Sequence, residues 1–480
     1  MAGKFYIQTF GCQMNVADSE RIAALLERAG GEPVARPEEA EIVLINTCSV
    51  REKPEVKVYT RLGQLRRLKQ RNPRLVVGVC GCQAQREGEE ILRRAPFVDL
   101  VVGTNQVDRV PALIEEVRRS GRPVLALDLP ERRTPAWMAP EPPMTDDLLD
   151  LLPALKPVRG KLKAFVPIIL GCDFACTFCI VPKTRGPERS RPVAQIVNEV
   201  RAWAQLGTKE VVLLGQTVDA YKAHYYADDP PGSRVFTLAD LIWLIAEVDG
   251  IERIRFTSPH PYYMSDALIR TIAECPKACE WIHLPVQSGD DVVLKRMARR
   301  YTRRRYLDLI ARIRDAIPDV AITTDLIVGF PGETREQFEN TLSLVEEVRF
   351  DGAYMFAYSP RPGTPAYGWP GELPREEVIS RLNELIELQN RISREKNEAL
   401  LGREFEVLVE GPSGERPGQY TGLTRGNKTV HFQGHEGLVG RLVQVRAVEA
   451  HQWGFLGEVT SAPGAELPLL AEAARSPVPA

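Results

Sequence analysis

The sequence predicts an α/β protein made of three successive domains. Apolar, strand-like runs alternate with stretches of helical periodicity up to about residue 396, as in parallel α/β folds. From residue 398 the pattern changes to short strands separated by glycine turns, which is typical of a small β-barrel. A chain of 480 residues is also longer than one hydrophobic core usually supports.

Residues 3–120 are predicted to form an N-terminal α/β domain with a mostly parallel sheet. Its strands are expected at the apolar runs "KFYIQTF", "EIVLIN", "RLVVGVC" and "VDLVVG". Stretches of helical periodicity separate these runs, as an α/β unit requires. The following segment, 129–157, carries seven prolines and little periodicity, so we expect an interdomain linker there.

Residues 158–396 repeat a strand followed by a helix. Strands are expected at "AFVPIIL", "EVVLL", "ERIRF", "WIHLPV", "VAITTDLIV" and "GAYMFAY". These units predict an incomplete (βα)6 barrel of the TIM type, open where a complete barrel continues. Residues 398–462 predict a small, OB-like β-barrel, and the composition of 463–480 favours a disordered tail.

Composition and cysteine content restrict the class of protein. Hydrophobic residues make up 44% and charged residues 26% of the chain, and the net charge is −2, so there is no global attraction to nucleic acid. Nine cysteines favour metal ligation or redox chemistry over a disulfide framework. The opening "MAGKFYIQTFGC" lacks a basic segment followed by an apolar one, and no apolar stretch is long enough to cross a bilayer. We therefore expect a cytoplasmic protein without a membrane partner.

The strongest motif is "GCDFACTFCIVPKTRG", in which Cys172, Cys176 and Cys179 follow the first predicted barrel strand. Three thiolates can ligate three irons of a 4Fe-4S cluster and leave the fourth iron open. The alternative is a zinc knuckle without its fourth ligand, but no histidine lies within the next 40 residues. The spacing resembles the signature of radical S-adenosylmethionine (SAM) enzymes, in which SAM chelates the open iron and is cleaved to a 5′-deoxyadenosyl radical.

Three later segments resemble parts of those enzymes that help to enclose SAM. They are "LLGQ", "PVQSG" and "DLIVGFPGE", each at the end of a predicted barrel strand. The resemblance implies SAM contacts at Gln216, Gln287, Ser288 and Gly329. The continuation "LLGQTVDAY" departs from the family, which more usually has asparagine at the positions of Thr217 and Asp219, and this puts substrate contacts there in doubt.

A second set of cysteines, Cys12, Cys48 and Cys82, lies just beyond the ends of three predicted strands. The carboxyl ends of parallel strands meet at one edge of a sheet, so these thiols can converge despite their distance in sequence. Cysteine is also a common small core residue, and spacing alone leaves both explanations open. Cys80 continues the buried strand, so we assign Cys82 as the ligand and Cys80 as a packing residue.

The segments around this second set carry a closer resemblance. "TFGCQMNVADSE", "INTCSVRE" and "GCQAQ" resemble the N-terminal domain of the methylthiotransferase family of radical SAM enzymes, and specifically its MiaB-type branch. The resemblance covers about residues 3 to 462, and all six family cysteines are matched. It implies two 4Fe-4S clusters and SAM as cofactors, with the cluster of Cys12, Cys48 and Cys82 supplying sulfur.

The reaction that the resemblance implies is methylthiolation of C2 of N6-isopentenyladenosine next to the anticodon of tRNA. The implied partners are that tRNA and an electron donor such as flavodoxin or ferredoxin, while the sulfur donor is unknown. Two enzyme alternatives stay open, a methylthiotransferase for another tRNA adenosine of the threonylcarbamoyl type or one for a ribosomal-protein aspartate. The alternative from a different class is an iron–sulfur RNA-binding or redox-sensing protein.

Two features are candidates for holding RNA. The C-terminal domain resembles TRAM, and in "TGLTRGNKTVHF" we predict RNA contacts at Arg425, Lys428 and Phe432, because small RNA-binding barrels combine cationic and aromatic side chains. The segment 295–314 carries nine lysines or arginines and one acid, and the segment 61–74 carries six and none. These runs are either phosphate-binding surfaces or solvated helix faces.

Overall fold

The computed structural model divides the chain into two compact units. The first comprises Met1–Gly250, Phe256–Ser258 and Ser359–Tyr367, and the second comprises Ile251–Arg255, Pro259–Tyr358 and Gly368–Ala480. The structure describes residues 3–49, 52–130, 161–230, 232–414 and 416–462. The predicted linker therefore lies almost entirely outside the described residues, and the predicted tail 463–480 lies wholly outside them.

The first unit contains a six-stranded sheet of the N-terminal region. Its order is β2-β1-β3-β4-β5-β6, and every neighbouring pair is parallel. The strands are β1 (Gly3–Phe10), β2 (Gly31–Pro33), β3 (Ile42–Thr47), β4 (Val76–Gly81), β5 (Leu100–Val102) and β6 (Val124–Ala126). The helices are α1 (Gln13–Arg28), α2 (Glu52–Arg71), α3 (Cys82–Glu87), α4 (Glu89–Arg94) and α5 (Val110–Ser120).

Both faces of this sheet are buried, which explains why its strands read as continuous apolar runs. One face packs Ile42 and Leu44 against Ile22 and Leu26 of α1. The opposite face packs Val43, Ile45, Val77 and Val79 against α2. The carboxyl ends of β1, β3 and β4 consequently lie side by side at one edge.

The first unit also contains the beginning of the predicted barrel. Its strands β7 (Lys163–Pro167) and β10 (Glu210–Leu214) pair in parallel, and the short strands β8 (Ile169–Leu170) and β9 (Arg189–Ser190) pair antiparallel. A further short antiparallel pair is β11 (Lys222–Ala223) and β12 (Phe236–Thr237). The helices of this part are α6 (Val181–Arg185), α7 (Val193–Gln205) and α8 (Leu238–Ala246).

The N-terminal sheet and these barrel strands belong to one unit because helix α1 packs against both. Met14 and Ala17 of α1 are buried against Val212 and Leu214 of β10, with Phe165 and Leu170 at the edge of the same cluster. The unit is thus larger than the N-terminal domain predicted at 3–120.

The second unit holds the rest of the barrel and the C-terminal domain. Strands β14 (Trp281–His283), β15 (Ala321–Val328) and β16 (Gly352–Ala357) form a parallel sheet in that order. Strand β13 spans Arg253–Phe256. The helices are α9 (Asp266–Glu274), α10 (Asp291–Arg296), α11 (Arg303–Ala316), α12 (Arg335–Val348) and α13 (Arg375–Glu398).

The C-terminal domain is a closed barrel of order β17-β18-β19-β21-β20. Its strands are β17 (Glu404–Pro412), β18 (Gln419–Thr424), β19 (Thr429–Gln433), β20 (Leu442–His451) and β21 (Gly454–Ser461). The core contains Val407, Val430, Phe432, Val443 and Phe455. Closure leaves this small sheet without free edges.

Two arginines of β13 join this small barrel to the rest of the second unit. The fully buried Arg253 donates to the carbonyl oxygens of Glu406 and Leu423 at 2.9 and 2.6 Å. Arg255 donates to those of Thr424 and Arg425, both at 2.7 Å.

Among the helices of the described residues, none combines the length and the apolar character needed to cross a bilayer.

Candidate functional site

Cys12, Cys48 and Cys82 lie at the common carboxyl edge of strands β1, β3 and β4. Cys12 is the N-cap of α1, Cys48 follows β3, and Cys82 is the first residue of α3. The Cys12 thiol is hydrogen-bonded to that of Cys48, and it lies close enough to Cys82 for the two charges to interact. The sheet topology therefore brings the three thiols of this set together, as the positions of the strand ends predict.

Buried asparagines hold the backbone around these thiols. The Asn15 amide donates to Asn46 Oδ1 at 3.2 Å and to the Thr47 carbonyl at 3.0 Å. Its Oδ1 accepts from the Cys12 thiol at 3.3 Å, and the Asn46 amide donates to Ser19 Oγ at 2.9 Å. This network fixes the "GCQMN" and "INTC" segments to each other and orients Cys12.

Cys80 and Cys82 have different environments although they are two residues apart. Cys80 is completely buried in the core beneath the sheet, opposite Asn46 in the strand register. Gly81 then ends β4 and caps α3 with φ 94°, and a Cβ there would lie 2.3 Å from Asn46 Oδ1. Only glycine fits this position, and the turn directs Cys82 towards Cys12.

Arg185 is the cation that faces this set of cysteines. Arg185 is the last residue of helix α6, the helix that follows the "CDFACTFC" loop. Its buried guanidinium donates to Asp18 Oδ2 at 2.7 Å. It is also hydrogen-bonded to the Cys82 thiol and interacts with the charge of Cys12. Asn105 donates to the Arg185 carbonyl and Thr104 to the Thr184 carbonyl, at 3.3 and 2.5 Å, so α6 is held by the N-terminal sheet domain.

These surroundings give the cysteines different acidities. The hydrogen bond from Cys48, aided by the charge of Arg185, lowers the pKa of Cys12 to about 6. Burial raises the pKa of Cys80 to about 12. Burial also raises the pKa of Cys82, against the opposing effect of Arg185. Among Cys12, Cys80 and Cys82, the thiol of Cys12 has the lowest pKa and ionises most readily. Cys80 behaves as a neutral packing residue.

Cys172, Cys176 and Cys179 lie on the loop between β8 and α6. Gly171 precedes Cys172 with φ 74°, and a Cβ there would lie 2.0 Å from the Pro187 carbonyl oxygen. The Cys172 amide donates to the Gly186 carbonyl at 3.2 Å, and the Cys179 amide donates to that of Cys176 at 3.0 Å. These bonds fold the loop into a compact turn.

The Cys172 thiol has a hydroxyl partner. Thr217 Oγ1 lies 3.2 Å from Cys172 Sγ, and the Phe174 amide donates to the same sulfur at 3.4 Å. Burial raises the pKa of Cys172, while the Thr217 hydrogen bond opposes the rise. Thr217, which departs from the family pattern, is therefore placed at this cysteine.

The donor atoms suit an iron–sulfur cluster better than a single ion. Across the parts of the chain that the structure describes, no three His, Cys, Asp or Glu side chains form a group that could hold one metal ion. In a 4Fe-4S cluster each thiolate binds a different iron, so the sulfurs need not converge on one point. Two sets of three thiols fit that group.

The predicted SAM contacts have the following positions. Gln216 follows β10 in the first unit, and its Oε1 is buried without a hydrogen-bond partner. In the second unit, Gln287 has φ 73° and pairs through its backbone with Asp325 and Ile327. Ser288 is fully buried, with its hydroxyl 3.3 Å from that of Thr341.

Gly329 directly follows β15 in the second unit and faces helix α13. Its amide donates to Glu333 Oε2 at 2.8 Å, and a Cβ there would lie 2.7 Å from Val378. The Ser288 hydroxyl and the Gly329 amide are thus already bonded within the protein. They shape their loops, whereas the buried Gln216 Oε1 has no hydrogen-bond partner.

The structure does not support the RNA contacts predicted at Arg425, Lys428 and Phe432. Phe432 is part of the barrel core. Arg425 is bound to Glu280 at 2.7 Å and to the carbonyls of Pro276 and Ala278. These side chains stabilise the second unit through internal contacts. The sequence pattern of a hairpin could not reveal those contacts.

Lys428 is buried between Asn397 and Asp351, with its Nζ 2.8 and 3.1 Å from their oxygens. Burial alone would raise the pKa of Asp351, but Lys428 and Lys396 lower it. The cation is thus neutralised inside the protein and does not face solvent.

The two basic runs, 295–314 and 61–74, lie on helices whose arginines are partly exposed. In the 295–314 segment, Arg303 and Arg312 pair with the exposed carboxylates of Glu347 and Asp266, and Arg304 and Arg305 are exposed as well. In the 61–74 segment, Arg66, Arg67 and Arg71 are exposed along the second half of α2. Exposed arginines in both runs leave each a candidate for a phosphate-binding surface or a solvated helix face.

Three family models match the chain. They are described as the uncharacterized protein family UPF0004 over residues 4–103, the Radical SAM superfamily over 166–345 and the TRAM domain over 398–460. Each matched range lies within one of the three predicted regions, 3–120, 158–396 and 398–462.

Curated relatives resemble the chain over nearly its whole length. A tRNA-2-methylthio-N(6)-dimethylallyladenosine synthase of Symbiobacterium thermophilum is 47% identical over 463 residues, which is 96% of this chain and 95% of the relative. The synthase of the same name from Moorella thermoacetica is 47% identical over 457 residues, covering 95% and 98%. The chain belongs to the tRNA-2-methylthio-N(6)-dimethylallyladenosine synthase family. The family predicted from the cysteine motifs is thereby confirmed.

A solved structure agrees with the fold of this synthase family member. A radical S-adenosylmethionine methyltransferase from Kitasatospora setae matches 88% of this chain and 81% of its own length, with a TM-score of 0.53 and 13% identity. At that identity the likeness concerns the fold alone. The predicted fold class is confirmed by this match and by the parallel sheets and closed barrel described above.

Sequence reasoning missed several polar residues around the synthase family's cysteines. Asn15 and Asn46 stand inside the "GCQMN" and "INTC" segments, and Arg185 stands inside "CIVPKTRG". Each was visible as a polar residue within a quoted motif. Their roles depend on which strand ends are neighbours, and a single sequence does not contain that information.

Proposed function

We propose that this chain is a tRNA methylthiotransferase that inserts a methylthio group at C2 of N6-isopentenyladenosine next to the anticodon. The proposal is supported by relatives that carry the synthase name at 47% identity over almost their entire length. It is supported further by the matches to the Radical SAM superfamily and the TRAM domain.

One structural observation carries the proposal. Both sets of three cysteines lie in the same compact unit. Arg185, six residues after Cys179, forms an ion pair with Asp18 and a hydrogen bond with the thiol of Cys82, which belongs to the other set. A chain that needed only one cluster, such as a redox sensor, would have no reason to couple two triads in this way.

The cysteines have separate proposed roles. Cys172, Cys176 and Cys179 hold one 4Fe-4S cluster that binds SAM, and Cys12, Cys48 and Cys82 hold an auxiliary 4Fe-4S cluster that supplies sulfur. Together with SAM, the first cluster supplies the one-electron chemistry that opens an unactivated C–H bond. Asn15 orients Cys12, and Thr217 donates a hydrogen bond to Cys172 once that cysteine is a thiolate.

The target bond explains why this chemistry is needed. The C2–H bond of adenine has no acidic proton, so a general base cannot remove it. The protein's contribution is to bind and orient the adenosine and to exclude competing reactions. For SAM, the proposed contacts are the side chains of Gln216 and Gln287, and Ser288 and Gly329 are proposed to shape the adjoining loops. A small electron carrier such as flavodoxin or ferredoxin is the proposed reductant.

Mass spectrometry of tRNA nucleosides tests the activity. Cells that express the chain in place of their own synthase should contain 2-methylthio-N6-dimethylallyladenosine, whereas cells without it should accumulate N6-isopentenyladenosine. Methylthiolation of a threonylcarbamoyl adenosine, or of a ribosomal-protein aspartate, would reassign the substrate.

Iron and acid-labile sulfide analysis tests the cofactors. After anaerobic reconstitution we expect about eight irons per chain, since each 4Fe-4S cluster holds four. About four irons would contradict the auxiliary cluster. Incubation with dithionite and SAM should release 5′-deoxyadenosine, and its absence would favour a sensor without turnover.

A further inference from the structure

A row of aromatic side chains crosses the second unit from the parallel sheet to the C-terminal barrel. Trp281 and His283 of β14 are stacked with ring centroids 6.3 Å apart. His283 meets the Tyr354 ring of β16 edge to face at 5.7 Å, and Tyr354 is stacked with Trp453 at 6.4 Å. We call these four side chains the aromatic row.

The row lies on a face of the sheet that is less buried than the other. Along β15, Ile322, Thr324, Leu326 and Val328 are fully buried, whereas Thr323, Asp325 and Ile327 on the other face are only partly buried. His283 is in register with Thr323, and Asp325 is in register with Tyr354. Registered residues of a parallel sheet point to the same side, so His283 and Tyr354 share this more open face.

Hydrogen bonds fix the inner half of the row. Trp281 Nε1 donates to Thr323 Oγ1 at 3.2 Å, and His283 Nδ1 lies 3.0 Å from the same oxygen. His283 Nε2 is 3.4 Å from Asp325 Oδ2. The rings therefore keep their orientation without a ligand.

The outer half of the row is held through the backbone. Trp453 lies in the turn between β20 and β21, where the Asn397 amide donates to the carbonyls of His451 and Gln452 at 2.7 and 3.3 Å. Gln452 donates to Asn390 at 2.5 Å. Gly352 of β16 leaves space for the indole, since a Cβ there would lie 3.3 Å from Trp453.

Two of these fixed rings are nevertheless exposed to solvent. Trp453 is 55% exposed and Tyr354 is 46% exposed. Large aromatic side chains supply most of their stabilisation when they are covered, and a rigid ring loses little entropy when a ligand covers it. A pre-oriented, uncovered pair of stacked rings is therefore suited to binding a flat ligand.

We propose that the aromatic row is a stacking platform for unpaired bases of the RNA substrate, those that flank the target adenosine. This inference rests on the proposed function, because a tRNA loop is the unpaired RNA that such an enzyme must bind. Bases of single-stranded RNA stack on aromatic side chains with little dependence on sequence. Asp325, on the same partly buried face, is placed to accept a hydrogen bond from a base edge.

The position of the row supports RNA over another occupant. His283 lies four residues before Gln287, one of the proposed SAM contacts, and on the same chain segment. The other end of the row, Trp453, belongs to the segment that matches the TRAM domain. The row thus runs from the part of the unit assigned to the reaction to the part assigned to RNA.

RNA affinity of the reconstituted, full-length protein tests the platform. The probe is a synthetic stem-loop RNA with N6-isopentenyladenosine in its loop, and the dissociation constant is measured under anaerobic conditions. Trp453→Ala and Tyr354→Ala should each weaken binding about 10-fold, the effect of losing one base–aromatic stack. Trp453→Phe should stay within about 3-fold of the parent protein because a ring remains.

The matched control is Trp243→Ala. Trp243 is 42% exposed on helix α8 of the first unit and is not part of the row. This variant should bind the stem-loop like the parent protein. Thermal unfolding of all four variants checks that a loss of affinity does not come from unfolding.

Three results would overturn the platform. They are unchanged affinity in both alanine variants, an equal loss of affinity for fully paired RNA, and a change of oligomeric state in light scattering that accompanies the loss. The last would assign the row to an interface with a second copy of the chain. Formation of 5′-deoxyadenosine without RNA should be unaffected, and failure of the parent protein to modify tRNA would contradict the proposed function instead.

Discussion

At the scale of single residues, the surroundings of Cys12, Cys48 and Cys82 determine what each thiol can do. The same residue type, cysteine, is a candidate ligand at 82 and a core residue at 80, because β4 ends at Gly81 and Cys82 begins the next helix. Charge comes from Arg185, which is remote in sequence from all three. Three predictions follow from these contacts.

Replacing the two neighbouring cysteines should have different consequences. Cys82→Ala should lower the iron content to about four per chain, because a 4Fe-4S cluster would be lost. Cys80→Ala should keep both clusters and lower the free energy of unfolding by about 1 kcal/mol, the cost of a small cavity. Iron analysis and denaturant unfolding measure the two effects. Loss of the cluster in Cys80→Ala alone would reverse the assignment.

Arg185→Met should lower the midpoint potential of the auxiliary cluster. The substitution removes a positive charge and a hydrogen bond to Cys82, and both stabilise the more negative, reduced state. Arg185→Lys, which keeps the charge, should restore part of the shift, and Asp18→Asn should move the potential in the opposite direction. Electron paramagnetic resonance during a redox titration measures the midpoint potential of each variant.

The chain that lacks Cys172, Cys176 and Cys179 is the background in which only the auxiliary cluster contributes to that signal. An unchanged potential in Arg185→Met, together with lower stability, would mean that Arg185 only supports the structure.

In the cluster-free protein, alkylation should distinguish the thiols by pH. Cys12 is exposed, and its pKa is lowered to about 6, so its thiolate is present above that pH and is lost as the pH falls through it. Iodoacetamide should therefore label Cys12 first at neutral pH, with a rate that falls below pH 6. Cys80, whose pKa is raised to about 12, should stay unlabelled until the protein unfolds. Peptide mass spectrometry reads both positions, and preferential labelling of Cys80 would contradict the geometry.

At the scale of elements, the second and third strands of the C-terminal barrel show how a pattern suggestive of binding can serve packing. The turn between β18 and β19 places Arg425 and Lys428 against Glu280, Asp351 and Asn397. Cations and an aromatic ring in a hairpin therefore do not by themselves identify an RNA-binding surface. The surrounding elements decide whether such a hairpin is covered.

Lys428→Met and Arg425→Met should reduce stability more than RNA affinity. Each removes a partly or fully buried charge-assisted hydrogen bond, which costs about 1–3 kcal/mol of unfolding free energy. Asp351 keeps its ion pair with Lys396 at 2.6 Å. The loss of unfolding free energy in Lys428→Met should therefore be at the lower end of this range. Arg446→Met is the control, because its ion pair with Glu404 is at the surface and such pairs contribute little. A large loss of RNA affinity at unchanged stability would restore the direct contact.

At the scale of the whole molecule, the C-terminal barrel is part of the second unit and is not an appended domain. Arg253 and Arg255 of β13 are buried and donate to carbonyls of β17, β18 and the turn that follows. These arginines would lose the carbonyl hydrogen bonds described above if the barrel were absent, and buried charge that loses its partners is strongly destabilising.

Truncation of residues 398–480 should therefore lower the melting temperature as well as the affinity for tRNA. The sequence alone predicts a loss of tRNA binding with SAM cleavage intact, and the contacts of β13 add a structural cost. Differential scanning calorimetry of the truncated and full-length chains measures it. An unchanged melting temperature would show that the barrel contributes nothing to the unit, and unchanged tRNA affinity would contradict its assignment to RNA.

The sequence by itself determined the fold class and the family, because apolar periodicity and short motifs are local properties of the chain. It also predicted different roles for Cys80 and Cys82, since a strand and the glycine that ends it are local too. Only the tertiary structure decided which side chains are covered and which distant groups meet: Arg185 at Cys82, Thr217 at Cys172, Lys428 inside the unit and Trp453 beside Tyr354. Burial and charge pairing arise from packing between remote segments, so no window of a single sequence contains them.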